Sequence, residues 1–347
     1  MRRTPSVTEA MNDYLALRSA QRKAVNTIAN EKSLITRFSV HCGDIQVGNL
    51  RNLHVEGFFF HRDTGLIYTH RNAAMTGKEM AASSYNKCRS HMASFLKFCT
   101  SRGWVRLDLM SQITMMTPEQ RDRLMLSRPE LFVLIEMSGN PRDRAMLAVA
   151  VNLALRASEI IGIKITGVDL DGGWIKLWIP KVKRWDTMKI PPHLDRELRR
   201  WLAVYTTDAG LRPKDAFLFP AKGPNFWDTT GSGKSLPGPW KPTAPMTHPA
   251  RVVQRALHHS GFEIEAGEGF HTIRRSTARL AFDHWAAEGY DSALRMTAAL
   301  LHHKSVIQTE RYIGLSPDIR RRDAEMTTCF LFDVPDNVTL LETREAD

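Results

Sequence analysis

The chain has 347 residues, enough for two domains that each bury a core. Lys and Arg number 48 against 37 Asp and Glu, a net charge of +11, which makes nucleic acid a candidate partner without establishing one. Eight tryptophans and 43% hydrophobic residues exclude a disordered basic tail, and no run approaches the about 18 apolar residues of a membrane span. The four cysteines, Cys42, Cys88, Cys99 and Cys329, form no C-x-x-C pair and resemble neither a zinc site nor a disulfide framework, which fits a reducing cytoplasm. The opening MRRTPSVTEAMNDY is charged without an apolar segment, so it does not read as a secretory signal.

In chain order, Ser6 and Glu9 form an S-x-x-E start for a helix over 6–18, with Met11, Tyr14, Leu15 and Leu17 on its apolar side. Residues 21–40 continue helical, 52–61 form a shorter apolar helix, and 62–79, with Gly65 and Gly77, read as a loop. A long amphipathic helix over 83–105 closes at Gly103; Tyr85, Met92, Phe95, Leu96 and Phe98 are apolar, while Arg89, His91, Lys97 and Arg102 fall on the remaining surface. A solvated face is the ordinary reading of those charges, and on a basic chain Arg89 and Lys97 are also candidates to meet DNA. Residues 1–105 are thus a small helical bundle. Residues 106–126, with a poor apolar pattern and Thr117–Pro118, form a linker.

A second domain is expected over 127–316. It opens on a helix with Pro129 in its first turn. Residues 142–161 read as one nearly all-apolar, buried helix ending in Arg156 and Glu159; a buried arginine is rare unless paired, and Glu159 at i+3 is a partner. Strands 174–180 and 186–191 make a hairpin with Lys181 and Lys183 at its tip, where a lysine is ordinarily a solvated charge. A helix follows over 193–205, and 220–249, rich in Pro, Gly, Ser and Thr, read as an irregular loop. Its GSGKS at 231–235 is not a nucleotide-binding loop, because Asp228 stands where the first glycine must be. A basic helix spans 247–260. Beyond the second domain, 317–347 form a tail, with a short basic helix over 317–328 (Arg320, Arg321, Arg322) and an extended 337–342. The fold class is mainly α with a small antiparallel β-sheet (α+β).

The chemistry concentrates in FHTIRRSTARLAFD and ALLHHKSVIQTERYIG. His271 and Arg274 share a helix face, and His303 is followed nine residues later by Tyr312. Arginine forks fit phosphoryl oxygens, histidine moves protons near neutral pH, and tyrosine can be a covalent nucleophile. Taken singly, a buried histidine and a helix tyrosine are commoner readings. A continuous helix would hold His303 and Tyr312 roughly 13 Å apart. Ser305 and Gln308, however, form an S-x-x-Q helix start, so the chain is expected to turn after His303 and bring Tyr312 back.

The ordered set resembles the tyrosine recombinases, the phage-integrase family of DNA breaking–rejoining enzymes. ALRASEIIGI resembles the family's G-L-R-x-S-E-L box, which gives Arg156 and a supporting Glu159. WIPKVKRWDTMKIP resembles the hairpin bearing the catalytic lysine, best placed at Lys181, with Lys183 the alternative. HTIR resembles H-x-L-R, giving His271 and Arg274, with Arg275 a DNA-contact candidate as is Lys183. LLHHKSVIQTERYIG resembles L-G-H-x-S-x-x-x-T-x-x-Y, giving His303 and the nucleophile Tyr312. SSYNKCRSHMASFLKFCTSRGWV resembles the last helix of the family's core-binding domain. Two positions depart from the pattern: Ala154 and His302 stand where the family usually has glycine.

The resemblance implies a helical core-binding domain followed by a catalytic domain, with no arm-binding domain ahead of them. It implies site-specific cleavage of double-stranded DNA through a 3′-phosphotyrosine, without metal, nucleotide or other cofactor. Four protomers on two core sites would be linked by the tail, in the cytoplasm of a prokaryotic host, on its nucleoid when bound. The rivals are a type IB topoisomerase, which relaxes DNA with related chemistry, and a DNA-binding protein that has lost catalysis.

Overall fold

The computed structural model describes residues 4–69, 77–106, 108–118, 124–209, 214–227, 235–262 and 268–315. The chain divides into two compact units, Met1–Asp122 and Arg123–Asp347. As expected, it is mainly helical with small antiparallel sheets. No helix among the described residues is long and apolar enough to cross a membrane.

The first unit contains α1 (Val7–Ala20), α2 (Val25–Cys42), α3 (Asn52–Phe60), a one-turn α4 (Leu66–Thr69) and α5 (Ala82–Ser101). Ser6 caps α1 in a complete capping box with Glu9, a device that contributes about 1 kcal/mol. Tyr14, Phe38, Phe59, Tyr85 and Phe95 fill the core. The helix expected over 21–40 is interrupted: Arg22 adopts φ 54°, the left-handed region, and α2 starts at Val25. No glycine marks that break, so its pattern was invisible. The loop expected over 62–79 holds α4.

Glu31 is fully buried between α1, α2 and α5. It accepts the Tyr14 hydroxyl at 3.1 Å and Arg18 Nε at 3.1 Å, and His91 Nδ1 lies 3.5 Å away. Burial would raise its carboxyl's pKa, but the hydrogen bonds and charge of Arg18 hold it below the ordinary value. Removing one partner of a buried pair strands the other. Glu31→Ala should therefore cost the first unit about 3 kcal/mol, read as a lowered midpoint of its urea transition in the full chain. An unchanged midpoint would show that the cluster contributes nothing.

In the second unit, Ser127 and Glu130 form the capping box of α6 (Arg128–Glu136), with Pro129 in its first turn. The buried α7 (Pro141–Leu153) follows, then a five-residue α8 (Ala157–Ile161). The single helix expected over 142–161 is thus two. Ala154 lies at φ 48° and ends α7, and Arg156 caps α8. Strands β1 (Val168–Asp169), β2 (Trp174–Ile179) and β3 (Arg184–Lys189) form an antiparallel sheet, with Trp174 opposite Lys189 and Ile179 opposite Arg184. Ile175, Leu177 and Ile179 point into the core while Trp174 and Trp178 remain outside, the period-two alternation of a half-buried strand.

After α9 (Pro192–Ala209), the region expected as an irregular loop contains β4 (Pro220–Lys222), β5 (Phe226–Trp227), β6 (Ser235–Leu236) and β7 (Trp240–Pro245), paired β4 with β7 and β5 with β6. Prolines masked these strands; two-stranded ribbons tolerate them because each strand is an edge. Helices α10 (Ala250–His259), α11 (Phe270–Trp285), α12 (Tyr290–Leu300) and α13 (Val306–Tyr312) complete the unit, α11 packing on α7 and α12. Residues 231–234 of GSGKS, Cys329 and the tail segments 317–328 and 337–342 lie outside the described residues.

Candidate active site

The left-handed turn at Ala154 redirects the chain so that Arg156 follows α7 as a cap rather than as another helical residue. Glu159, 1% exposed, accepts the Arg156 backbone N–H at 2.7 Å and its Nη1 at 2.7 Å. The same carboxylate lies 3.6 Å from Nη1 of Arg274 on α11. Arg274, also 1% exposed, donates to the backbone carbonyls of Ala154 and Leu301. One carboxylate therefore orients two guanidiniums, and the cluster keeps a net positive charge. Burial, then the charge of Arg156, lowers the Arg274 pKa to about 10; Glu159 and Tyr312 oppose the shift, and the side chain stays cationic at neutral pH.

Opposite this pair, α12 ends and the chain turns through His302 at φ 51°. Ser305 holds the cap position of α13, though its hydroxyl makes no capping bond. The turn returns Tyr312 to His303: their ring centroids are 5.4 Å apart with planes at 89°. His303 Nδ1 lies 3.1 Å from Thr309 Oγ1. Tyr312 Oη donates to the His271 carbonyl at 3.3 Å. Burial raises the Tyr312 pKa above its ordinary value, while Arg274, Arg275 and Arg156 pull it down.

His303 is driven to a pKa of about 4 by burial and then by Arg274, Arg156 and Lys181. It is neutral in the free protein, so as pH falls from about 6.5 the unfolded chain takes up a proton that the folded one refuses. That share of stability is complete above about 6.5 and disappears as pH falls through about 4. In a pH titration followed by NMR, the His303 ring signals should stay flat from pH 8 to about 5.5. A midpoint near 6.5 would contradict these cationic surroundings.

Lys181 lies exposed in the turn between β2 and β3, and its charge reaches His303. Lys183, also exposed, takes the left-handed position of that turn at φ 52°. His271 is exposed, and it meets Tyr312 through its main-chain carbonyl. Among the DNA-contact candidates, Lys97 is exposed on α5, while Arg89 donates to the Ile113 carbonyl within its own unit. Arg275 is 5% exposed and donates to the Leu124 carbonyl at 2.7 Å, which places it in the fold rather than on the surface.

Sequence reasoning missed three participants. Thr309 stood in the histidine–tyrosine motif as a letter without a role. Asp186 on β3 carried no signal at all. His302 was visible only as a departure from glycine, yet its Nε2 lies 2.6 Å from Asp186 Oδ2. Among the described residues, no cluster of three His, Cys, Asp or Glu side chains could hold a metal ion.

A family model described as the phage integrase family matches residues 115–318. The chain is 27% identical over 252 residues to a tyrosine recombinase XerC of Lactobacillus delbrueckii subsp. bulgaricus, covering 70% of this chain and 75% of that one. It is 24% identical over 311 residues to a tyrosine recombinase XerD of Mycobacterium leprae, covering 86% and 89%. Its fold is similar to that of a lambda integrase tetramer bound to a Holliday junction, with a TM-score of 0.62 at 15% identity over 90% of this chain and 78% of the other.

Proposed function

The chain belongs to the phage integrase family, and from that premise we propose that it recombines double-stranded DNA at specific sites with Tyr312 as nucleophile. The observation that carries the residue assignment is the convergence of Arg156, Arg274, His303 and Tyr312 from separate elements around one buried carboxylate.

Tyr312 Oη attacks the scissile phosphorus. Roughly one tyrosine in a thousand is ionised at pH 7, and burial here disfavours ionisation further, so the proton must leave as the bond forms. His271, whose carbonyl already holds the phenolic hydroxyl, takes that proton through its imidazole. Arg156 and Arg274, fixed by Glu159, bind the non-bridging oxygens and stabilise the charge that builds on them. His303 donates a hydrogen bond to the same phosphate. Lys181 gives a proton to the departing 5′ oxygen. The P–O5′ bond breaks, the 3′ end remains on tyrosine, and a 5′-hydroxyl is released. Attack by the 5′-hydroxyl of a partner strand reverses the sequence and joins the strands anew. The ester conserves the bond, so the chain's own residues suffice for each proton and charge.

Four protomers on two sites provide the partner strand, an arrangement in keeping with the tetramer that lambda integrase forms on a Holliday junction. Acting on DNA, the enzyme works inside the cell, in the cytoplasm of a prokaryotic host and on the nucleoid when bound.

The test starts with a library of duplexes incubated with the full chain, followed by sequencing of the 3′ ends that remain attached to protein after denaturation. This maps the site, and two copies of it should then exchange strands. Absence of any adduct would leave a DNA-binding protein; an adduct accompanied only by relaxation of supercoils would leave a topoisomerase.

A further inference from the structure

We propose that Asp186 and His302 form a positioning latch that fixes the Lys181 turn to the segment carrying His303. The proposal rests on the reading of this site as a DNA-cleaving centre.

Three observations carry it. The first is strain with a purpose. His302 adopts φ 51°, a conformation that costs a residue with a Cβ about 1–2 kcal/mol and that glycine takes freely. A large side chain at such a point must return something. Its ring is buried, and Nε2 meets Asp186 Oδ2 at 2.6 Å, a charge-assisted distance.

The second is the condition of the carboxylate. Asp186 faces inward on β3 opposite Leu177, and its Oδ1 accepts the Thr187 backbone N–H at 2.9 Å. Both oxygens are engaged, so the group is held in one orientation. His302 Nδ1, by contrast, is buried with no hydrogen-bond partner among the described residues. A neutral ring with its proton on Nε2 leaves only a lone pair unsatisfied there, whereas an imidazolium would bury an unpaired N–H. The ring is thus placed for the one bond to Asp186.

The third is position. The last ladder pair of the hairpin is Ile179 with Arg184, and beyond it the chain runs through a four-residue turn containing Lys181. Asp186 is two residues inside that last pair, at the root of the projecting turn. His302 directly precedes His303, whose backbone N–H bonds the Ala298 carbonyl at 2.9 Å as the helix ends. The latch therefore joins the proton donor's support to the phosphate-binding histidine's support. Asp186 and His302 act through Lys181 and touch no substrate.

The experiment uses the full chain and a duplex carrying the mapped site, made with either the normal 5′ oxygen or sulfur at the bridging position of the scissile phosphate. A sulfur leaving group departs without a proton. Asp186→Ala and His302→Gly should each cleave the oxygen duplex about a hundredfold more slowly, the scale of losing placement of a reacting group, and should cleave the sulfur duplex within a few-fold of the parent. Glycine accepts φ 51°, so His302→Gly removes the latch without disturbing the turn. The double variant should be no slower than the slower single one, because the two residues act as one unit. Equal slowing on both duplexes, or none on either, overturns the latch. Absence of a Tyr312-linked adduct with the parent overturns the DNA-cleaving reading itself, and the two failures are thereby distinguishable.

Discussion

Tyr312→Phe binds the mapped site as the parent does and forms no denaturant-resistant adduct. The substitution removes one oxygen, and that oxygen is the attacking atom. The phenyl ring keeps its edge-on contact with His303, 5.4 Å between centroids, so the fold around it is preserved. The hydrogen bond lost, from Oη to the His271 carbonyl at 3.3 Å, is long and partly solvated, and its loss costs little stability. Affinity survives because phosphate contacts by basic side chains supply it. A duplex nicked close to the scissile bond, so that the released strand diffuses away, makes the assay most sensitive. An adduct formed by Tyr312→Phe would reassign the nucleophile to another of the six tyrosines.

Lys181→Ala separates proton donation from charge stabilisation. An alkoxide is a poor leaving group, whereas thiols ionise near pH 8.5, roughly seven units below a simple alcohol. The variant should cleave the oxygen duplex about 10² to 10⁴ times more slowly, the range for losing a general acid, and the sulfur duplex nearly as fast as the parent. Arg156→Ala should lose about 10² to 10³ on both duplexes, because the charge it stabilises develops whichever atom departs. It also leaves the buried Glu159 with only Arg274, 3.6 Å away, so a thermal melt belongs beside the rate. Lys183→Ala should keep the parental ratio between the duplexes. A restored rate on sulfur with Lys183→Ala, and not with Lys181→Ala, would move the acid two residues along the turn.

What the sequence revealed and what it hid follow from how each feature is encoded. The helix start at Ser6 and the long α5 were readable because capping and apolar spacing are local. The turn after His303 was readable from a distance argument: nine residues of helix would have separated the two side chains. The break at Ala154 was not readable, since alanine ordinarily favours helix and nothing nearby competes with it; the reason for the break is a carbonyl claimed by Arg274, 120 residues away. Asp186 was silent for the same cause, its partner lying 116 residues on. Arg275 looked like a surface charge beside its neighbour Arg274, yet both are buried, because α11 turns that flank towards the core.

Ala154 carries one more consequence. Its left-handed torsion costs about 1–2 kcal/mol relative to glycine, but glycine there would give back about 0.4–1 kcal/mol of unfolded-chain freedom. Its methyl group, 0% exposed, packs in a cluster with Ala278, Phe282, Leu301 and Ile313, and losing it would forfeit about 0.8 kcal/mol of burial. The terms nearly cancel, so descent can exchange alanine and glycine at this point with little selection either way. What lineages must keep is the handedness of the turn, with an arginine two residues later. Kin sought by spelling, with a glycine demanded there, would be passed over; kin sought by torsion would be found, and His302, with φ 51°, would be recognised by the same rule.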